Sequence, residues 1–251
     1  NLQNIPARDP ELGPLLRSMF IPEEGMLWGC VDWSQIEFRF LVHYAVALNK
    51  ATNGSMCKTG LDAAELYRND STTDFHDMAA SFTGLDRGPS KNINFGVVYG
   101  MGKATMAKSM GCSIEEAEPV LATFHTELPF LKEILDYVSN TARKNGHIKT
   151  VLKRRRRFTD GSLTHKALNA LLQGSAADLM KKAMVDMWEQ GVFEVLVPHL
   201  TVHDEMDVSI PKTKEGDEAF KDLIHIMETT LDLEVPILAS SNTGINWNDA
   251  K

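Results

Sequence analysis

Cysteine is scarce. The 251 residues contain three, Cys30, Cys57 and Cys112, far apart and with no CxxC pair. That excludes a disulfide framework and a zinc knuckle and fits reduced intracellular thiols. Long apolar runs are missing too: none approaches the roughly 18 residues of a membrane span, and no secretory leader is visible. There are no internal repeats and no low-complexity tract. The chain starts at Asn1 rather than Met, so a fragment or a processed product is expected. Positive charge is in deficit, with a net charge of −8, which taken alone argues against a polyanionic partner. The deficit is uneven, however. From Arg143 to Arg157 there are eight Lys or Arg and no acid. Carboxylates that bind metal would also lower the net charge without repelling a phosphate.

What is present is an ordinary globular composition, 43% apolar and 24% charged, in a length sufficient for one large domain or two small ones. Asn1 to Pro22 carries four prolines and reads as a loop. Met26 to Val31 reads as a buried strand. Ser34 and Glu37 form an S-x-x-E capping box that starts a helix from Gln35 to Asn49. Asn49 to Asp62, rich in Gly, Ser, Thr and Asn, reads as a loop, and Asp74 as the N-cap of a helix stopped by Gly84. Further helices are expected over 87–100, 103–110, 113–127 (kinked at Pro119), 130–145, 164–190 and 213–231. Strands are expected from His147 to Leu152, over Val192 to Ile210 on both sides of a turn near His203-Asp204, and from Val235 to Ser240. Strands at both ends with helices between them predict an α+β fold, an antiparallel sheet carrying a helical insertion.

Two acids organise the chemistry. Asp32 ends the first apolar strand, and Asp204 sits in the later turn between apolar strand-like runs. A carboxylate at the end of a buried strand either shapes a turn or is poised for a cation. Arg87, Lys91, Phe95 and Tyr99 fall at i, i+4, i+8 and i+12, one helical stripe with cations first and rings after. This suits a triphosphate at the helix start and a flat base farther along; the alternative is a solvated basic turn plus two core aromatics. Gly100-Met101-Gly102-Lys103 hints at a P-loop but fails it, since Val97 and Ala104 replace the required Gly and Ser/Thr. The run Lys153 to Arg157, which includes Arg154 and Arg155, reads as a strip for a phosphate backbone or as a solvated loop. Asn169 and Gln173 share a helix face and could meet minor-groove acceptors, or bond within the fold.

Together these stretches resemble the family A DNA polymerases, the DNA polymerase I type. Asp32-Trp33-Ser34-Gln35-Ile36-Glu37-Phe38-Arg39 is similar to motif A (D-Y-S-Q-I-E-L-R). Arg87 with Lys91 to Gly100 is similar to motif B (R-x3-K-x2-N-F-G-x2-Y-G), and Val202-His203-Asp204-Glu205 to motif C. Asn1 to Pro6, Gln173 to Asp178 and Asn246-Trp247 are further matches, so the resemblance covers essentially the whole chain.

The resemblance implies a right-hand polymerase with an antiparallel palm sheet over 1–48 and 160–251 and a helical fingers insertion over 49–159. The thumb and any exonuclease domain would lie upstream, together with the family's Thr-Gly-Arg segment. It implies two Mg²⁺ ions, replaceable by Mn²⁺, on Asp32, Asp204 and the Trp33 backbone carbonyl, with Glu205 supporting the site. Arg87 and Lys91 would meet the phosphates of an incoming dNTP, and Lys91 could protonate the leaving group. Phe95 and Tyr99 would flank the base, Gln35 joins the nucleotide site, and Glu37 would gate the 2′ position. Arg39, Asn169, Gln173, His203, Arg154 and Arg155 would contact primer–template DNA. Trp33 replaces the usual Tyr, and Gly88-Pro89 interrupts the start of the fingers helix. His165 and the short Asp86-to-Lys91 lead-in are more like the phage branch, which predicts a phage origin and an intracellular site of action, in a bacterium or a phage-infected host. Two rival readings are a metal-dependent phosphohydrolase on Asp32 and His203-Asp204, and a non-catalytic nucleic-acid-binding fragment.

Overall fold

A computed structural model describes residues 4–5, 9–83, 96–159, 161 and 163–251. In chain order the elements open with α1 (Leu12–Arg17), β1 (Met26–Trp33), α2 (Ile36–Ala51), α3 (Lys58–Asn69) and α4 (Phe75–Thr83). They continue with α5 (Lys103–Met110), α6 (Ile114–Glu127), α7 (Pro129–Asn145), β2 (His147–Lys149) and β3 (Arg155–Arg157). A 3-10 turn (Thr164–Lys166) leads into α8 (Ala167–Glu189), then α9 (Val192–Val195), β4 (Val197–Val202), β5 (Glu205–Pro211), α10 (Lys214–Thr229) and β6 (Ala239–Gly244). The fold is the expected α+β. The chain divides into two compact units, one of Asn1–Ile36, Ala177–Asp232 and Ile237–Lys251, the other of Glu37–Ala176 and Leu233–Pro236.

The first unit is built on a four-stranded sheet in the order β4-β5-β1-β6, with every pair antiparallel. Side chains alternate across a strand, so its two faces differ in kind. Val31 and Trp33 of β1 share a face with Met206, Val208 and Ile210 of β5, all of them buried. Helix α10 packs on this face with Leu223, Ile226 and Met227. Each such side chain contributes about 1.5–3 kcal/mol when buried. At Gly29 the packing is close: a Cβ there would stand 2.5 Å from Ile210 Cδ1 and 2.8 Å from Phe220 Cε2. Trp33 is pinned by its indole N–H, which donates to the Met227 carbonyl at 2.8 Å. Thr213 caps α10 by accepting from the Gly216 N–H at 3.1 Å. The opposite face carries Trp28, Cys30 and Asp32 against Ser209, Asp207 and Glu205.

The second unit is helical. Arg39 lies at its centre, 0% exposed. Its guanidinium donates to the Pro236 carbonyl at 2.6 Å and to the Ser71 carbonyl at 2.7 Å, and stands 4.8 Å from the Tyr67 ring. The neighbouring Phe38 stacks on Phe75, with centroids 4.3 Å apart. Asp74 caps α4 as expected, accepting from the His76 N–H at 2.6 Å. Ser113 and Glu116 form a reciprocal capping box at the start of α6, and α7 ends at Gly146 with φ 69°. Strands β2 and β3 pair as a short hairpin in which all three β3 arginines are exposed.

Five expectations need correction. Asn1–Pro22 is not all loop, because α1 forms at Leu12–Arg17 around Pro14, which its first turn tolerates. Helix α2 starts at Ile36, after Gln35 in the left-handed region at φ 52°, so Ser34 is not the residue that leads into its first turn. The loop read over Asn49–Asp62 gives way to α3 at Lys58. Its Gly60, Ala63, Ala64 and Tyr67 make a narrow buried face that composition hides. Val192–Val195 is a helical turn, not strand. The last strand is Ala239–Gly244, not Val235–Ser240: the apolar residues Val235 and Ile237 are buried outside the ladder, whereas a polar run pairs with β1. Most of the helix expected over 87–100 lies outside the described residues.

Gly60 sets the α2–α3 approach. A Cβ there would stand 2.7 Å from the Ala45 Cβ, an atom fixed to backbone. Alanine gains roughly 1 kcal/mol of helix propensity but forces the helices apart at a cost of about 1–3 kcal/mol. Gly60→Ala is expected to lower the melting temperature; an unchanged or raised value in a thermal melt would show that α3 can shift freely.

Candidate functional site

The site begins where β1 ends. Asp32 pairs across the ladder with Glu205, and Val202 with Glu205, so β4 and β5 are joined by a turn of His203 and Asp204. The Trp33 backbone N–H donates to the Asp204 carbonyl at 3.2 Å, tying this turn to the end of β1. His203, exposed, has φ 58°, a left-handed conformation uncommon for a side-chain-bearing residue and frequent at functional turns. The sheet therefore brings together two acids that lie far apart in sequence.

Their electrostatics are unfavourable as they stand. Burial, and then the charge of Asp204, push the Asp32 carboxyl up to about 7, with Glu205 adding to the effect and Lys251 opposing it. Asp32 Oδ1 is buried and has no hydrogen-bond partner. Two like charges and an orphaned oxygen in a low-dielectric setting call for a counter-charge. An all-oxygen donor set of two carboxylates and a strand-end carbonyl is what a hard divalent cation takes. The residues present fit such an ion.

Glu205 is 3% exposed and both its oxygens are engaged. Oε1 accepts from the Trp247 indole N–H at 2.7 Å, and Oε2 is ion-paired with the Lys251 ammonium. Two residues along β5, on the same face, Asp207 is fully buried. Its Oδ1 accepts from the Trp28 indole at 2.8 Å, whereas Oδ2 has no partner. Burial and the neighbouring Glu205 push Asp207 up to about 8. Cys30 pairs with Asp207 in the ladder, and its Sγ lies with the Glu205 and Asp207 carboxylate oxygens in a group spanning 4.8 Å. Burial and these two acids push its thiol up. The sequence reading missed Cys30, Asp207, Trp247 and Lys251 as neighbours of the site. A signal was there for Asp207, since Glu205 and Asp207 stand at i, i+2 and must share a strand face.

Arg87, Lys91 and Phe95 are outside the described residues. Tyr99 is half-buried. Glu37, in the first turn of α2, has its carboxyl pushed up by burial. Arg39 departs from expectation: it is fully buried with its guanidinium on two carbonyls and a ring, so it holds the fold and offers nothing to DNA. Asn169 and Gln173 are both on α8, and Gln173 is exposed.

The basic hairpin is strapped to the same helix. Ser175 Oγ donates to the Leu171 carbonyl at 2.7 Å and accepts from the Val151 N–H at 3.2 Å. Arg154 donates to the Gly174 carbonyl at 2.8 Å. A Cβ at Gly174 would stand 2.8 Å from Thr150 Cγ2, so glycine lets the hairpin sit this close. Arg154 is thus partly spent on the strap, while Arg155, Arg156 and Arg157 are exposed beside it.

Asp207 supplies a pH test. Its carboxyl rises from 3.8 to about 8 on folding, so the folded state retains a proton that the unfolded state releases. Its contribution to stability is fully present below about pH 4 and is lost as pH rises towards about 8. Asp207→Asn keeps the shape, stays neutral and can donate to Glu205. It is expected to raise the melting temperature at pH 8 by several degrees and to change it little at pH 4. An equal effect at both values would show that Asp207 carries no such proton.

Comparison with known proteins places this geometry. A family model described as DNA polymerase family A matches residues 1–249. The chain is 34% identical to a DNA-directed DNA polymerase of Pseudomonas phage M6, covering 98% of this chain and 42% of that protein. It is also 34% identical to DNA polymerase I of Streptococcus pneumoniae (strain ATCC BAA-255 / R6), covering 100% of this chain and 29% of that one. The chain thus spans less than half the length of these relatives. Among solved structures, the POL domain of Pol1 from M. smegmatis, in complex with DNA primer-template and dNTP, matches all of this chain and 45% of its own, with TM-score 0.85 and 29% identity. With the expected motifs in order, the sheet that joins Asp32 to Asp204, and a family match over nearly every residue, the chain belongs to DNA polymerase family A.

Proposed function

We propose that this chain carries the palm and fingers of a template-directed DNA polymerase that adds deoxynucleotides to a primer 3′-hydroxyl, with the palm over 1–48 and 160–251 and the fingers over 49–159. The observation that carries the reading is the juxtaposition of Asp32 and Asp204, with a buried carboxylate oxygen left unpartnered. Asp32, Asp204 and the Trp33 carbonyl would hold two Mg²⁺ ions, or Mn²⁺ in their place, which when bound supply Lewis-acid activation of the hydroxyl and charge neutralisation at the α-phosphate.

The chain's own residues do the rest. Arg87 and Lys91 neutralise the β- and γ-phosphates, and Lys91 gives a proton to the departing pyrophosphate. Phe95 and Tyr99 flank the incoming base, and Gln35 borders the nucleotide. Glu37 closes the space beside the sugar 2′ carbon; its burial supports a packing role of this kind. Exposed Gln173 with Asn169 on α8, His203 at its turn, and the hairpin arginines 154 and 155 hold primer–template DNA. The basic hairpin reconciles DNA binding with a net charge of −8, because phosphate contacts depend on local cation density. Arg39 is left out of this set for the reason its burial gives.

Primer extension by the protein carrying this chain tests the reading. Asp204→Ala is expected to lower magnesium-dependent incorporation by at least ~10²-fold with the melting profile retained. Activity within a few-fold of wild type would remove Asp204 from the metal site. Without any template-directed extension by the wild type, a hydrolase or a binding fragment would be the better description.

Sugar selection is a separate test. Glu37→Ala is expected to raise ribonucleotide incorporation by on the order of 10-fold or more, since a buried steric contact of ~1–3 kcal/mol is removed. An unchanged ratio of ribo- to deoxynucleotide use would leave Glu37 a helix-start residue only.

A further inference from the structure

The acidic face of the sheet holds Asp32, Glu205 and Asp207 together with the Cys30 thiol, and the Asp204 charge acts on Asp32 from the turn beside it. Among the described residues, one ammonium stands with them. Lys251 is ion-paired with Glu205 Oε2, and its charge also acts on Asp32, Asp207 and Cys30. It is held there by a built segment. The Trp247 backbone N–H donates to the Phe20 carbonyl at 3.0 Å, and the Trp247 ring meets Phe20 edge-on with centroids 5.3 Å apart. Trp247 and Ala250 are buried with Trp28 and Cys30. The Asp249 carboxylate accepts from the Ile245 N–H at 3.1 Å, and the Ala250 N–H donates to the Asn246 carbonyl at 3.2 Å. Gly244 is where the turn closes on the sheet: a Cβ there would stand 2.7 Å from the Ala250 nitrogen.

We propose that the Trp247–Lys251 segment is part of the metal site. Trp247 and Lys251 are positioning residues that fix both oxygens of Glu205, and Lys251 is the resident counter-charge of the acid cluster. Two consequences follow from Coulomb's law. Without metal, the ammonium offsets the repulsion among the acids and stabilises the fold. With metal, the same positive charge opposes the ions and weakens their binding, so the segment tunes affinity downward. It also keeps Glu205 from becoming a direct ligand, since that would require breaking two charge-assisted contacts. This rests on reading Asp32 and Asp204 as the metal ligands.

The test uses Mn²⁺ alone as the probe, with binding followed by electron paramagnetic resonance and melting measured with and without the ion. Lys251→Met is expected to lower the metal-free melting temperature, to tighten Mn²⁺ binding by about fivefold or more, and to enlarge the stabilisation that Mn²⁺ confers. Lys251→Arg should restore wild-type values on all three counts. Trp247→Phe, which keeps the ring and loses the N–H, should lower kcat for primer extension more than it alters KM for nucleotide. Asp204→Asn is the control and should abolish the tight Mn²⁺ site. If that control loses the site while Lys251→Met binds Mn²⁺ as wild type does, the inference is wrong and the metal reading stands. If the wild type has no Mn²⁺ site that Asp204→Asn removes, both fall. Should Lys251→Met fail to fold, Lys251→Gln measured in the same way decides between the outcomes.

Discussion

The organising constraint in this protein is the repulsion between carboxylates that the sheet forces together. Asp32 ends β1, Asp204 lies in the β4–β5 turn, and Glu205 and Asp207 extend the acidic row along β5. Backbone pairing sets this arrangement and does not yield to side-chain charge. A ladder of seven residue pairs between β1 and β5 outweighs the cost of like charges at its edge. The cost reappears as raised carboxyl pKa values and as unpartnered oxygens on Asp32 and Asp207. Opposed to it are the indole N–H groups of Trp28 and Trp247 and the Lys251 ammonium.

The two faces of the sheet divide the work. One face is packed by α10 with aliphatic side chains and the pinned Trp33, and it supplies the rigidity. The other tolerates buried acids because it is not left bare: Trp28, Trp247 and Ala250 close over it. An indole suits this position, since its body excludes water while its single N–H satisfies one carboxylate oxygen. Removing water strengthens each electrostatic interaction at the site, the repulsion among the acids included.

The second unit shows a different use of charge. Arg39 is buried and satisfied by carbonyls and a ring, so its cation organises α2, α3 and the Leu233–Pro236 segment. The cations of β3 are exposed, and the hairpin that carries them is anchored through Gly174 and Ser175 of α8. A small residue allows the close approach, and a hydroxyl bonded on both sides holds it. The Gln-Gly-Ser run therefore has a packing explanation alongside the exposed amide of Gln173.

The order of residues reveals the acids at strand ends, the helix cap at Asp74, the α+β class and the three ordered motifs. These are local patterns of period, capping chemistry and spacing, and local chemistry is what a sequence carries directly. The misreadings share one physical cause. The α3 face, the burial of Arg39 and the true position of β6 depend on which surfaces meet, and Gly60, Arg39 and Ala239–Gly244 look polar or pliable until a partner is in place. The same holds for Lys251, more than two hundred residues from Asp32 in sequence and joined to its site only when β6 and the turn after it close on the sheet. Sequence alone determined which residues could do the chemistry. Tertiary structure decided which of them share a dielectric environment, because pairing and burial set the strength of a charge and neither is written in the order of the residues.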